Sequence, residues 1–253
     1  MKHFELTDDT ITRDGMILHR IRALRDLPHH GVRAGDVGGF VEKAENLSGG
    51  AWVSGAAWVS GDARVSGDAR VSGAAQVSGD ARVSGAARVT GAAQVSGDAR
   101  VYGDARVSGA AQVTGDARVY GAAWVSGAAQ VTGAAWVYGG AQVYGDAQVT
   151  GAAQVTGDAQ VTGDARVSET QHVLVIGPIG SQSISITLCH TEIGHLLNIG
   201  CWTGQIAELP AEVERRAQHC SDLDQQRWRA EYAAAIPLLE ARAASWHPVE
   251  VAS

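Results

Sequence analysis

The sequence predicts a mainly β fold, a parallel solenoid built from three-sided, 18-residue coils, and two observations predict it. The first is a six-residue phrase, Ala-x-Val-x-Gly followed most often by Asp or Ala, repeated without insertion or deletion. Valine stands at every sixth position from Val53 to Val167, with alanine two residues before each one. In an extended segment side chains alternate between faces, so Ala and Val share one side and the residues flanking valine point the other way. A three-residue strand cannot bury itself alone, but stacked coils can, and an unbroken period of this length marks a solenoid. The second observation is how the outward residues before valine sort at a spacing of 18. One column reads Trp52, Arg70, Arg88, Arg106, Trp124, Gln142, Gln160; the next runs from Trp58 through Gln76, Gln94, Gln112, Gln130 and Gln148 to Arg166. The third reads Arg64, Arg82, Arg100, Arg118, Trp136, Gln154. Sorting at 12, as a two-sided coil requires, mixes Arg, Gln and Trp in both columns. From Val53 to Val167 the coils span about 30 Å at the usual inter-strand spacing of ~4.8 Å.

An aliphatic residue followed four positions later by a small one, as in Val59 and Ala63 or Val65 and Ala69, resembles the hexapeptide repeat of left-handed parallel β-helices. The left hand is what this resemblance implies; the spacing is silent on it. The chain therefore divides into an N-terminal cap over 1–50, the β-helix over 51–168 and a small α+β C-terminal domain over 169–253.

Taken in order, Met16–Leu24 alternates as a strand after a turn at Asp14-Gly15. Val41 and Leu47 already stand in the six-residue register of Val53, so residues 1–50 read as a cap that closes the open edge of the first coil. The run Gly35-Asp36-Val37-Gly38-Gly39 lacks the spacing and the Lys-Ser/Thr ending of a phosphate loop. Within the repeats, Asp62, Asp80, Asp98 and Asp116 occupy the corner before the Arg64–Arg118 column and are expected to offset its self-repulsion. Exposed pairs of that kind contribute under about 1 kcal/mol each, so charge-balanced solubility is favoured over a binding stripe. The Gln column is expected to hydrogen-bond along itself as stacked amides do, in preference to forming an ice- or glycan-binding plane. After Ser168 the register is expected to stop. Strands are expected at His172–Ile176, Ser183–Cys189 and His195–Trp202, the first two split by Gly177-Pro178-Ile179-Gly180, then a short helix over Ala211–Ala217. A second helix begins near Ser221 or Asp222; its stripe of Trp228, Tyr232, Ile236 and Leu239 is a core face, and Pro237 is expected to kink it.

Two further stretches carry a resemblance. Val32-Arg33-Ala34-Gly35-Asp36-Val37-Gly38-Gly39-Phe40-Val41, followed by Asn46-Leu47-Ser48, resembles the N-terminal portion of bacterial and phage hexapeptide-repeat proteins of unassigned function. Ile199-Gly200-Cys201-Trp202-Thr203-Gly204, followed by Glu231-Tyr232-Ala233, is similar to the C-terminal domain on many phage and prophage members of that group. The resemblance implies phage or prophage origin and brings no catalytic residues with it.

Composition narrows the function. Net charge is −7, and the repeat region holds eight Arg against nine Asp, which argues against both a basic nucleic-acid groove and an acidic nucleic-acid mimic. Three cysteines, none in the repeats, do not make a disulfide framework. No apolar run reaches membrane-spanning length and Met1–Thr10 has no signal-peptide core, so the expected location is cytoplasmic, with the virion as an alternative. Acyltransferases and carbonic anhydrases on left-handed β-helices rely on histidines as base or zinc ligands. No histidine occurs between Ala51 and Ser168. His29-His30 and, toward the C-terminus, His172, Cys189, His190, His195, Cys201, His219 and Cys220 show neither CxxC nor HxxxH spacing, so no metal, cofactor or catalytic site is expected. The expected function is a non-enzymatic, rigid platform for protein interaction. Its alternatives are an inhibitor that binds a host defence protein and an enzyme with its site in the C-terminal domain. The expected interface is aromatic: Tyr102, Tyr120 and Tyr138 stack 18 apart, Trp136 precedes Tyr138 by two, and Trp124 and Tyr144 stand around the neighbouring corners, all converging on one edge of the later coils. Self-association, for instance as a trimer, is the first expected partnership and a host or virion protein the second.

Overall fold

The structure, a computed structural model, describes residues 2–180, 183–218 and 221–246. Three strands open the chain: β1 (Phe4–Arg13), β2 (Met16–Ala23) and β3 (Val37–Val41). Twenty two-residue strands follow, β4 (Trp52–Val53) to β23 (Arg166–Val167), one per repeat. Every repeat alanine from Ala51 to Ala165 and every valine from Val53 to Val161 is fully buried. Each outward residue and its valine pair in parallel with the residues 18 positions on, as Gln94 with Gln112 and Val95 with Val113. The N–H of Gln94 donates to the Ala111 carbonyl at 2.9 Å and that of Ser96 to Val113 at 3.0 Å. The next coil thus satisfies the backbone polar groups that a strand this short leaves open.

These pairings build the three faces that the spacing of 18 predicts. One sheet runs β4, β7, β10, β13, β16, β19, β22; another runs β6, β9, β12, β15, β18, β21; the remaining one runs β5, β8, β11, β14, β17, β20, β23 and continues through β3 into β2 and β1. We call them the first, third and second faces, in the order in which the chain first visits them from Trp52 (first), Trp58 (second) and Arg64 (third). The corner aspartates make no contact ion pair with the third-face Arg column among the described residues; Asp62 pairs with Lys43 of the cap, 2.7 Å away, and Lys43 first, with Arg64 adding to it, holds its carboxyl below the ordinary range. One surface expectation is corrected: no side-chain hydrogen bond links the glutamines from Gln76 to Gln148. Both groups sit on an open surface where water serves an exposed guanidinium or amide as well as a neighbour does.

The N-terminal cap is a hairpin turned at Asp14-Gly15, both with positive φ (50° and 78°), as the twist of a two-residue hairpin loop requires. Its first strand, β1, has no period strong enough to be read from sequence. Strand β3 enters the solenoid register itself: Phe40 pairs with Trp58 and Val41 with Val59, while Leu47 bridges to Val65. Side chains finish the edge. Glu42 Oε2 accepts the Gly61 N–H at 2.5 Å, and Asn46 Nδ2, fully buried, donates to the carbonyls of Gly61 and Ala63 at 3.1 and 2.9 Å. A Cβ on Gly39 would lie 2.5 Å from the Ala57 carbonyl oxygen, so the glycine run serves close packing of the cap on the first coil.

At the other end, β24 (Val173–Ile179), β25 (Ile184–Thr191), β26 (Gly194–Ile199) and β27 (Trp202–Gly204) form an antiparallel sheet. Two expectations change here. The first strand starts at Val173 and runs through the cis Gly177–Pro178 peptide with a register shift, so the Gly-Pro stretch bends it without ending it. The strand expected over His195–Trp202 is a tight hairpin, β26 to β27, turned at Gly200-Cys201. The parallel register ends at Val167, as expected, and Val173 packs against the solenoid core from an antiparallel strand. Strand β25 plugs the last coil. Cys189 is fully buried in the solenoid's own core, Thr187 Oγ1 accepts the Gln160 N–H at 3.0 Å, and Asn198 Nδ2 donates to the Gln160 carbonyl at 3.0 Å. Helix α1 (Leu209–Ala217) has Pro210 in its first turn, and α2 (Asp222–Trp246) carries Pro237 inside it. Trp228, Tyr232 and Leu239 of α2 are buried against Ile186, Leu188, Leu197 and Ile199, with Ile236 partly buried beside them, so the stripe is a core face.

Candidate interaction faces of the solenoid

The position after valine points outward and is Ser or Thr on most rungs, because a small polar side chain suits a solvated strand end. On the third face it becomes Tyr102, Tyr120 and Tyr138, and the ladder's parallel register superimposes the three rings. Tyr102 and Tyr120 have centroids 4.8 Å apart, Tyr120 and Tyr138 4.9 Å, each pair within 1° of parallel. Trp136 sets its edge against Tyr120 at 6.5 Å and 72°, and the Arg118 guanidinium lies over the Trp136 ring at 4.8 Å. All four rings are half-buried. Contacts of this kind contribute about 0.5–1.5 kcal/mol each and hold the rings in one orientation. Burial, and then the neighbouring Tyr102 and Tyr138, push the Tyr120 phenol above its ordinary range.

The structure leaves Trp124 and Tyr144 apart from this ladder. Both stand on the first face, where Trp124 is 45% exposed and its indole N–H donates to Ser108 Oγ at 3.2 Å. With Ser126 and Gln142 they line a groove of ≈ 240 Å³. The six aromatics therefore make two surfaces on adjoining faces. Gln142 and Ser126 escaped sequence reasoning, although the spacing of 18 already puts Gln142 in the Trp124 column and Ser126 in that of Tyr144. Trp52 and Trp58 are 2% and 8% exposed and belong to the cap: Trp52 joins the core with Phe4 and Ile21, and Trp58 packs with Leu18 and Phe40.

The histidines and cysteines take scattered positions. His29 and His30 lie in the cap, where the His30 ring meets the Gly50 carbonyl at 2.8 Å. Burial pushes the Cys189 thiol up to about 12, leaving it protonated and inert as a nucleophile. Cys201 is exposed. His172 and His190 stack at 4.5 Å with Trp246 edge-on to both, which packs the end of α2 on the last coil. His195 Nε2 accepts the Ile206 N–H at 3.1 Å. His219 and Cys220 lie outside the described residues. Among the described residues no three of His, Cys, Asp or Glu gather as a metal site, and no helix is long and apolar enough to cross a membrane.

A plugged stack of parallel coils with small antiparallel and helical appendages defines the class: this is a capped β-solenoid repeat protein, with about seven turns. Six segments, 63–75, 75–91, 93–109, 99–114, 111–127 and 141–157, match the family model described as the YdcK beta solenoid repeat, to which the coils are thus similar. No curated protein matches the chain.

Proposed function

We propose that the protein is a non-enzymatic, rigid platform that associates with further copies of itself through the third-face ladder of Tyr102, Tyr120, Tyr138 and Trp136. The observation that carries this is the ladder's geometry. Three parallel rings and an indole, locked by mutual contact and half exposed, stand on a surface otherwise built from short hydroxyls, amides and ions. Stiff amphipathic rings lose little entropy on docking and are the side chains that interfaces favour. The same face carries an Arg column and an Asp corner that are not paired with each other, so it offers both signs of charge to a second copy. The absence of histidine from the coils supports the non-enzymatic part. Resemblance of the two caps to phage and prophage hexapeptide-repeat proteins supports an assembly role in that setting.

The test is the triple variant Tyr102→Ser, Tyr120→Ser, Tyr138→Ser, followed by light scattering on a sizing column and by thermal melting. The wild-type chain is expected as an oligomer and the folded variant at lower mass. A monomeric wild type, or a folded variant of unchanged mass, overturns the reading.

A further inference from the structure

The second aromatic surface differs from the first in chemistry, and it lies outside the proposed self-interface. Trp124 and Gln142 are register partners on β16 and β19, with Ser126 and Tyr144 just past the ends of those strands. The four form a lattice of about 4.8 Å by 6.6 Å, with the rings on one diagonal and an amide and a hydroxyl on the other. The indole is held in place by its bond to Ser108, so its exposed face is preset. Nothing in the groove lining is charged. A second cavity of ≈ 290 Å³ adjoins it and shares Gln142; Gly140, Asp158, Gln160, Ser183, the start of β25 at Ile184 and Ser185, and Gly200 line that one. Gly140 stands where most corners carry Asp or Ala, and a Cβ there would reach within 3.0 Å of Asp158 Oδ1, so glycine keeps the floor of the second cavity open.

An extended peptide has no backbone to pair with here. The N–H groups of Trp124, Gln142 and Tyr144 are already given to the carbonyls of Ala141, Ala159 and Val161 at 2.8–2.9 Å. A phosphate or other anion meets Asp158 in the lining and no cation; Arg106, one rung before Trp124, is not part of either lining. What remains is a ligand with an apolar C–H face for the rings and a rim of groups that both donate and accept hydrogen bonds for amides, a hydroxyl and a carboxylate. We infer that the late coils of the first face bind a neutral oligosaccharide, one sugar stacked on Trp124 and Tyr144, the next hydrogen-bonded by Gln142, Asp158 and Gln160.

The experiment uses the full chain on a printed glycan array. The array carries neutral hexose, N-acetylhexosamine and deoxyhexose oligomers, with sialylated and sulfated oligomers as anionic comparators. The neutral oligomers that give signal are then titrated calorimetrically. Binding to neutral oligomers is expected, and Trp124→Ala and Gln142→Leu are each expected to weaken it by about tenfold, as loss of a central contact does. Tyr120→Ser, on the other face, is expected to leave it unchanged, which separates this inference from the self-association reading. Both groove residues point outward, and thermal melting confirms that the variants fold. Signal on anionic oligomers alone, signal on none, or affinity that survives both groove substitutions overturns the inference.

Discussion

Val113 and Gln112 are neighbours on one strand with opposite environments, the first fully buried and the second exposed. The interior at Val113 is lined by Ala and Val and has no partner for a charge. Val113→Asp is therefore expected to cost several kcal/mol, on the order of an unpaired buried polar group or more, whereas Gln112→Lys stays within about 0.5 kcal/mol. Urea unfolding of the two variants checks this; equal shifts of the midpoint would refute the inward and outward assignment. The corner glycines allow a finer comparison. Gly109 has φ +68° and a Cβ there would lie 2.8 Å from the Gly127 carbonyl oxygen, while Gly157, at φ +64°, has nothing within 4 Å. Gly157→Ala meets only the left-handed strain, about 1–2 kcal/mol. Gly109→Ala meets the strain and the next rung together, so it is expected to lower the melting temperature clearly further. Similar losses at both would mean that coil-to-coil contact does not constrain the corner.

The caps are the elements where ordinary side-chain chemistry returns. His3 Nε2 meets the Ala51 carbonyl at 2.8 Å, and His30 Nε2 meets that of Gly50 at 2.8 Å while its Nδ1 faces the Arg70 Nε–H at 3.4 Å. An Nδ1 that accepts from Arg70 while Nε2 donates requires a neutral ring. Burial, as the largest cause, holds both histidines below their ordinary range. In that case the unfolded chain takes up protons first as pH falls below about 6.5, so the stability they lend is complete above that value and is lost on acidification. Melting temperature is expected to fall as pH drops below about 6.5, and less steeply in the His3→Gln, His30→Gln double variant; parallel profiles would contradict this. At the other end, the Cys189 thiol is raised to about 12 from 9.0. Its contribution is complete below about pH 9 and falls as the unfolded thiol ionises above it, by about 1.4 kcal/mol per pH unit. In the native protein iodoacetamide at pH 8 is expected to label Cys201 and spare Cys189, as mass spectrometry would read; labelling of Cys189 at the same rate would disprove its burial.

The elements also differ in what their residues disclose. The 18-residue coil, the three columns and the α2 stripe were legible because each is a period, and a period is a property of sequence alone. Strand β1 was not, since Leu6-Thr7-Asp8-Asp9-Thr10 has no alternation and spans a register shift, and only the residues on either side of that shift pair in register with β2. The roles of Asn46, Thr187 and Asn198 were hidden for a related reason: each satisfies a backbone group 15 to 38 residues away. The candidate surface was half legible. Column arithmetic found all six aromatics and their faces, but whether rings on either side of a corner meet depends on the direction in which each side chain leaves its strand.

At the scale of the molecule, each coil touches only its neighbours, so stability is close to a sum over coils and their interfaces. Deleting residues 73–90 removes one coil and leaves the register, both caps and every aromatic in place. That variant is expected to fold, with a melting temperature a few degrees lower at most on the scale of ~1 kcal/mol changes. Deleting Gly73 alone turns later side chains to the wrong side and is expected to abolish cooperative melting. Circular dichroism of the two, melted side by side, decides the matter.

The repeat interior has a consequence of its own. Twenty repeats with the same Ala and Val give the core no address: a rung in the middle cannot be told from the one six residues later by anything it buries. Only the two plugged ends say where counting starts and stops. The middle of the chain is thus a ruler, graduated in steps of about 4.8 Å for every eighteen residues, and its length can be reset by copying or dropping a stretch without rewriting either end.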